Sequence, residues 1–431
     1  MEDYGFLKSE EQKSYDFHYL EIMKRRLKKW DKLLEKSEVL PPKSEKLKRY
    51  IRKGIPPSLR KECWFHYSGA ERFMEENDGL FDILQFRELQ DIQAGYSRND
   101  NKIFQHIEVL DRDVFRTFPD NSKFKRRNFP DSEEISSNSS TATLVNFDKF
   151  ELEGESYYIQ SLRKILVCFA YYSWPHPNPN RQLPKSCTYQ IGYCQSLNFI
   201  VGLLLLIYSD NTIYETDENC RYEIEKRVFF TLVVIIEELL PKEVYGVNLE
   251  GTQLTQDVLW KWLFNIRGSR FGVEKTAQWI RSLENRKSDS SMPPLDLITG
   301  HWFMTLYIGV LPFETTLRVW DCFLYQGEKV LMRVAITIFK LYQEQILSFP
   351  EPIQSWKFVK EIPKKLHDCH SFMNIVFKPR YPIKPTEGSL ENFGSQINGR
   401  ESFDSQDENL PMISNTKNLS IRRGVGNIPN K

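Results

Sequence analysis

The sequence predicts an all-α protein, and three observations carry that prediction. Apolar residues return at helical spacing in one window after another, most clearly at Ile103, Ile107, Leu110 and Val114 (i, i+4, i+7, i+11). No stretch sustains the strict alternation of a half-buried strand. No pair of such runs flanks a two-residue turn of the hairpin type.

Residues 15–36 place Leu20, Met23, Leu27, Trp30 and Leu34 at a heptad-like 3-4 spacing, with Lys24, Arg25, Arg26, Lys28 and Lys29 crowded around the stripe. This reads as an N-terminal helix docked on the main body with a solvated charged face; a coiled-coil or membrane-surface helix is the alternative. Pro41-Pro42 ends the segment, because neither residue can continue a helix. Residues 1–48 are thus a basic helical extension. The body, 49–384, opens at Gly54, where Pro56-Pro57-Ser58 is a helix-start signal. Further helical faces follow at Tyr158, Leu162, Ile165, Leu166 and Phe169, then over 197–208, 228–240 and 258–264. Leu317, Trp320 and Leu324 share a face stopped at Gly327, and Val330, Val334, Ile338 and Leu341 form the next. Residues 120–148, 174–187 and 285–294 read as surface loops, the second being too proline-rich for a helix. From 385 to 431 the chain turns to Ser, Asn, Glu and Gly with few aromatics, the composition of a disordered polar tail.

With 431 residues and 13% aromatics the chain can bury a substantial core. A net charge of +1 argues against nucleic acid as the main ligand, which calls for a clear basic excess. Seven cysteines without a CxxC pair exclude the common zinc and redox motifs, and the odd number fits a reducing compartment. The N-terminus carries no signal-peptide core and the C-terminus no prenylation signal. The longest apolar run, 197–208, contains Asn198 and is too short to cross a bilayer. A soluble cytoplasmic protein is expected. The acidic pairs Glu75-Glu76 and Glu237-Glu238 lack repeated ligand spacing, and no phosphate-cradling GxxxxGK[ST] loop occurs, so no metal and no nucleotide site of its own is expected.

Two short segments hold the candidate chemistry. Arg116 closes Leu110-x-x-Asp113-x-x-Arg116 and projects away from the face set by Ile103 to Val114, so its guanidinium should meet solvent. Asp113, at i−3, can orient it, and Pro119 restrains Phe118 so that the helix ends near Arg116. Gln195 sits in the turn Ile191-Gly192-Tyr193-Cys194-Gln195 before the apolar run, and a carboxamide both donates and accepts. Each has a plain structural alternative: an arginine complementing a helix C-terminus, and a glutamine satisfying donors at a helix start. Cys194 near that helix start could also be a nucleophile with His301 or His176 as base, though nothing in the sequence fixes the pairing.

Taken in order, the motifs resemble the TBC-domain GTPase-activating proteins over roughly residues 54–345. Gly54-Ile-Pro-Pro-Ser-Leu-Arg60-Lys-Glu-Cys-Trp64 matches the family's opening, including RxxxW. Leu110-x-x-Asp113-x-x-Arg116 matches IxxDxxR, with Leu for Ile, and Tyr193-Cys-Gln195 matches YxQ. His301-Trp302, Leu317-Arg-Val-Trp320-Asp321 and Val330 to Ala335 match the C-terminal half. Where the family reads GYCQGMN, this chain reads GYCQSLN. Leu197 for Met keeps volume, whereas Ser196 for Gly is costly if the backbone needs positive φ, although serine suits a helix N-terminus.

The resemblance implies an all-helical domain acting on a GTP-loaded small GTPase of the Rab type, with GTP and Mg²⁺ carried by that partner. Arg116 would stabilise charge on the γ-phosphoryl oxygens and Gln195 would orient the attacking water, so regulating vesicle trafficking. Asp113 and Tyr193 would position them, while Arg60, Trp64, Trp302 and Trp320 are architecture. The insertions at 120–148 and 174–187 flank both side chains and could shape partner choice. A non-catalytic TBC-fold module that only docks a GTPase is the alternative. A peripheral membrane contact through the basic N-terminal helix stays open beside it.

Overall fold

The structure, a computed structural model, describes residues 4–35, 40–97, 101–125, 155–183, 186–209, 213–264, 295–349 and 352–378. Among the described residues every regular element is helical and no strand occurs. In chain order these are α1 (Glu10–Leu34), α2 (Glu45–Lys53), α3 (Pro57–Ser68), α4 (Ala70–Glu76), α5 (Leu80–Leu84), α6 (Arg87–Gln93) and α7 (Ile103–Val114). Next come α8 (Tyr157–Ser173), α9 (Leu197–Tyr208), α10 (Ile213–Thr216) and α11 (Glu218–Val234), the last continued by a π-turn over Ile235–Leu239. The remainder is α12 (Glu250–Phe264), α13 (Leu295–Met304), α14 (Phe313–Gln326), α15 (Lys329–Leu341), α16 (Gln343–Ser348), α17 (Pro352–Glu361) and α18 (Cys369–Val376). Most of loops 120–148 and 285–294, and the tail 385–431, lie outside the described residues.

Two packed groups share α3. In the first, α8 packs against α7, α9 and α11. The apolar run forecast over 197–208 is α9, and all of it except Phe199 is buried. In the second group, α14 packs against α2, α15 and α18. It stops where expected, at Gly327 with φ 81, a left-handed conformation that glycine adopts without a Cβ clash. Helix α3 touches α9 and α11 on one side and α14 on the other. It starts at Pro57, whose missing N–H costs nothing there, and ends at Gly69 with φ 95.

What fixes α3 to α14 is a buried set of two guanidinium and two carboxylate groups. Arg60, 0% exposed, donates from Nε to Asp321 Oδ1 at 3.1 Å and from Nη2 to Glu314 Oε1 at 2.8 Å. Arg318 donates from Nη1 to Asp321 Oδ2 at 2.7 Å and from Nη2 to the Arg52 carbonyl at 2.6 Å. Asp321 also accepts from Trp64 Nε1 at 2.9 Å and from the Ile55 N–H at 3.2 Å. Burial works against the Arg60 charge, and the adjoining Glu314 and Asp321 carboxylates outweigh it, lifting its pKa. Above this set Trp64 packs on Trp320 with ring centroids 5.5 Å apart. Arg60, Trp64, Trp302 and Trp320 are all buried, in keeping with an architectural part.

Helix α1 lies against the body. Its buried residues are Asp16, Tyr19, Met23, Arg26 and Trp30, which keep the 3-4 spacing but shift one residue earlier at two positions; Leu27 is exposed. The expected all-apolar stripe is therefore corrected. Arg26 points inward because α18 supplies a partner, His370 Nδ1, to its Nη2 at 2.7 Å, and α1 itself supplies the Tyr19 hydroxyl to Nη1 at 2.9 Å. A second correction concerns the start of loop 120–148. Phe124 is buried against Phe118 and Tyr158 instead of lying on a surface loop. Segment 174–187, none of whose described residues is fully buried, is pinned by the fully buried Asp91, which accepts from Arg181 Nη1 at 2.5 Å and from Tyr171 Oη at 3.2 Å, and meets His176 Nε2 at 3.1 Å.

Removing one partner of the charged set leaves the others buried and uncompensated. Arg60→Met should cost about 3–5 kcal/mol, read as a lowered midpoint in denaturant-induced unfolding; an unchanged midpoint would show that the set does not join α3 to α14.

Candidate functional site

The first candidate segment is aimed by its buried half. Ile103, Ile107, Leu110 and Val114 drive one face of α7 into the core against α8, so the chain leaving α7 emerges at the surface. The helix ends at Val114, and a tight turn follows in which the Arg116 N–H donates to the Asp113 carbonyl at 3.0 Å. Thr117 Oγ1 donates to the same carbonyl at 3.0 Å. Proline at 119 disfavours helical backbone at Phe118, and extended backbone would be the usual outcome. The structure instead gives Phe118 φ 48. Its ring is captured by Phe6, Phe124 and Phe199, at centroid distances of 5.3, 5.5 and 5.7 Å. Gly202 on α9 makes the space: a Cβ there would lie 2.8 Å from Phe118 Cε2.

The second segment is tied to the first at several atoms. Gly192, with φ 63, passes so close to His106 of α7 that a Cβ would sit 2.7 Å from the imidazole. The Tyr193 N–H donates to His106 Nδ1 at 3.3 Å, which leaves the proton on Nε2. The Tyr193 hydroxyl donates to Asp113 Oδ2 at 3.0 Å. Asn198 Nδ2 donates to Thr117 Oγ1 at 2.8 Å and to the Asp113 carbonyl at 3.4 Å, while its Oδ1 accepts from the Ser196 N–H at 3.2 Å. Ser196 itself has φ 99, in the left-handed region, and its hydroxyl caps nothing. The expectation that serine would serve as an N-cap is thus replaced: Asn198 meets the backbone, and Ser196 bears the strain that glycine would avoid.

Arg116 and Gln195 therefore stand exposed on two segments that the buried Asp113 and Tyr193 tie together. Asp113 is buried, with one carboxylate oxygen held by Tyr193 and the other 3.8 Å from Arg116 Nη1. The Arg116 side chain is 73% exposed, so this is a loose tether and not a lock. Gln195 is exposed on the short stretch between Tyr193 and Asn198, and no hydrogen bond of its carboxamide occurs among the described residues. Arg116 keeps the long approach to Asp113 that its structural alternative foresaw, whereas no capping bond of the Gln195 carboxamide to the following helix occurs among the described residues. Burial, and then the Asp113 carboxylate, push the Tyr193 phenol well above its ordinary pKa, so it stays a donor to Asp113. Val109 and Phe115, both exposed, add apolar surface beside Arg116.

The thiol alternative fares poorly. Burial, then Asp113, push Cys194 up to about 11, the reverse of an activated nucleophile. Its sulfur contacts the Gln195 carbonyl at 3.5 Å, and His176 is engaged by Asp91. Asn198, Thr117, His106 and Gly202 escaped the sequence reading as parts of this site. A polar Asn198 and a Gly202 inside an otherwise apolar helix were the signals available.

Residues 144–347 match the Rab-GTPase-TBC domain family; the match contains Tyr193 and Gln195 and begins beyond Arg116. The relatives reach further. GTPase-activating protein GYP3 of Saccharomyces cerevisiae is 31% identical over 80% of this chain and 50% of its own length. GTPase-activating protein MSB4 of the same organism is 31% identical over 79% of this chain and 61% of its own. The chain thus spans about half to three-fifths of these relatives. Among solved structures, the Chlamydomonas flagellar RabGAP TBC domain superposes with a TM-score of 0.58 at 21% identity, covering 87% of this chain and 98% of that one, a likeness of fold. The chain thus matches the Rab-GTPase-TBC domain family over residues 144–347 and has the fold of a TBC domain.

Proposed function

We propose that this chain accelerates GTP hydrolysis by a Rab-type small GTPase, supplying Arg116 and Gln195 in trans. One observation carries the reading: an exposed guanidinium and an exposed carboxamide stand on two segments tied through the same buried Asp113. Phosphoryl transfer asks for positioning and charge stabilisation more than covalent chemistry. A planar guanidinium can reach into the nucleotide pocket of a docked GTPase and neutralise charge on the γ-phosphoryl oxygens. The carboxamide can accept from the attacking water and donate to a phosphoryl oxygen. GTP and Mg²⁺ are the partner's, and this chain contributes only side chains. The match to the Rab-GTPase-TBC domain family over residues 144–347, and relatives named as GTPase-activating proteins, support the same reading.

In this scheme Asp113 and Tyr193 are positioning residues. Asp113 limits the arc swept by Arg116 through their 3.8 Å approach, and Tyr193 fixes the carboxylate. Exposed Val109 and Phe115 would be covered by the docked GTPase, excluding water from the transferring group. By setting the lifetime of a GTP-bound Rab the chain would regulate vesicle traffic, acting from the cytoplasm at the membranes where that Rab resides.

Arg116→Ala should lower GTPase stimulation by ~10³–10⁵, equivalent to roughly 4–7 kcal/mol of barrier, without moving the thermal midpoint. Arg116→Lys should rescue little, because an ammonium cannot form the planar fork. Gln195→Ala should lower stimulation by about 10²–10³, the usual loss for one preorganised polar group. The assay is single-turnover hydrolysis by GTP-loaded Rabs. If both alanine variants stimulate a responsive Rab as well as the unmodified chain does, the mechanism is wrong. Tight docking without acceleration by the unmodified chain would make it a binding module. Ser196→Gly should relieve the left-handed strain, stabilising the fold by about 1–2 kcal/mol in chemical unfolding, with stimulation retained.

A further inference from the structure

One groove of the described structure is far from neutral. It has a volume of about 710 Å³ and lies between α1, α2 and α18. Its lining includes six cations, Arg25, Arg26, Lys29, Lys46, Arg49 and Lys53, and no acidic residue. The whole chain carries a net charge of only +1, so this is a local concentration of one sign.

The sequence builds the two walls by helical spacing. On α2, Lys46, Arg49 and Lys53 recur at i, i+3 and i+7, while Leu47 and Ile51 occupy the buried face. On α1, Arg25 and Lys29 stand one turn apart beside the buried Arg26 and Trp30. Among the described residues none of the six cations forms an ion pair with a carboxylate, although neighbouring Lys24 and Lys48 pair with Glu21 and Glu45. Two basic stripes facing each other across a groove repel, and the fold gains nothing from that arrangement by itself.

The floor strengthens the case. Arg26 is 7% exposed, yet its partners are neutral: the Tyr19 hydroxyl at 2.9 Å, Met23 Sδ at 3.4 Å and His370 Nδ1 at 2.7 Å. A guanidinium donates only, so His370 accepts from Arg26 on Nδ1. Trp30 fixes the floor by donating from Nε1 to the Gly54 carbonyl at 3.1 Å. A buried cation with neutral partners, at the bottom of a groove walled by further cations, has the charge and hydrogen-bonding character that a compact polyanion needs.

We infer that this groove binds a multiply phosphorylated inositol headgroup. A volume of about 710 Å³ with cations on two helices and a further one on the floor suits a ring bearing several phosphates better than a single phosphate. The site is separate from Arg116 and Gln195, so occupancy would tether the chain or sense a soluble inositol phosphate without entering the hydrolysis step.

The test uses the full chain and two sources of the same headgroup. Phosphatidylcholine vesicles carrying phosphatidylinositol bisphosphate are compared with phosphatidylcholine–phosphatidylserine vesicles of equal surface charge, by co-sedimentation. Soluble inositol trisphosphate is titrated calorimetrically. The unmodified chain should bind the phosphoinositide vesicles well above the serine-lipid ones, or bind the soluble trisphosphate, or both; which arm responds names the source. Lys29→Ala/Arg49→Ala/Lys53→Ala should weaken that binding about a hundredfold, from roughly a unit of surface attraction per cation. GTPase stimulation in solution and the thermal midpoint should be unchanged. The single charge reversal Arg49→Glu provides a second, milder variant. Absence of binding in both arms, equal binding to the serine-lipid vesicles, or undiminished binding by the folded variants would overturn the inference.

Discussion

The candidate site depends on the position of one buried carboxylate. Asp113 is out of solvent, yet it touches the Tyr193 phenol on one oxygen and approaches the exposed Arg116 with the other. An isolated ionised carboxylate in such a place would be costly, so its partners are needed for it to stay there. Since those partners come from segments some eighty residues apart, the same interaction that satisfies Asp113 also joins the turn after α7 to the turn before α9. Asn198 adds a second tie by bridging Thr117, the Asp113 carbonyl and the Ser196 N–H. Precision at the surface is thereby borrowed from the interior, where side chains have few rotamers to choose from.

Much of this was legible in the sequence because it rests on local periodicity. The bounds of α9, the stop of α14 at Gly327 and the outward direction of Arg116 each follow from spacing within one helix. What was not legible depends on distant partners. The inward rotation of Arg26 needs Tyr19 and His370, the latter on the last described helix. Phe118 takes a left-handed backbone because Gly202 and three phenylalanine rings receive its side chain, a gain that local preference before proline cannot anticipate. Ser196 looked acceptable as a cap, but its conformation is set by the approach of Tyr193 and Asn198 to Asp113.

The charged set around Asp321 answers a different need. Helix α3 has to touch both packed groups, and apolar contact alone is tolerant of sliding. Directional bonds from Arg60, Trp64 and Arg318 to one carboxylate allow a single register. Gly54 lies where this set meets the groove: a Cβ there would come within 2.5 Å of Arg26 Nη1 and 2.9 Å of Arg318 Cζ. The turn between α2 and α3 therefore has to be bare of side chain for two arginines to flank it.

The seating of α1 on α18 has a consequence for synthesis. Tyr15 accepts from the His370 N–H across 355 positions, and Arg26 reaches the same histidine. At ribosomal speeds of ~5–20 residues per second the first helix waits roughly 20–70 s for its counterpart. Throughout that interval Tyr19 and Met23 lack the cover that Cys369 gives them, so the nascent chain presents a sticky, positively charged helix to chaperones long before the domain can close.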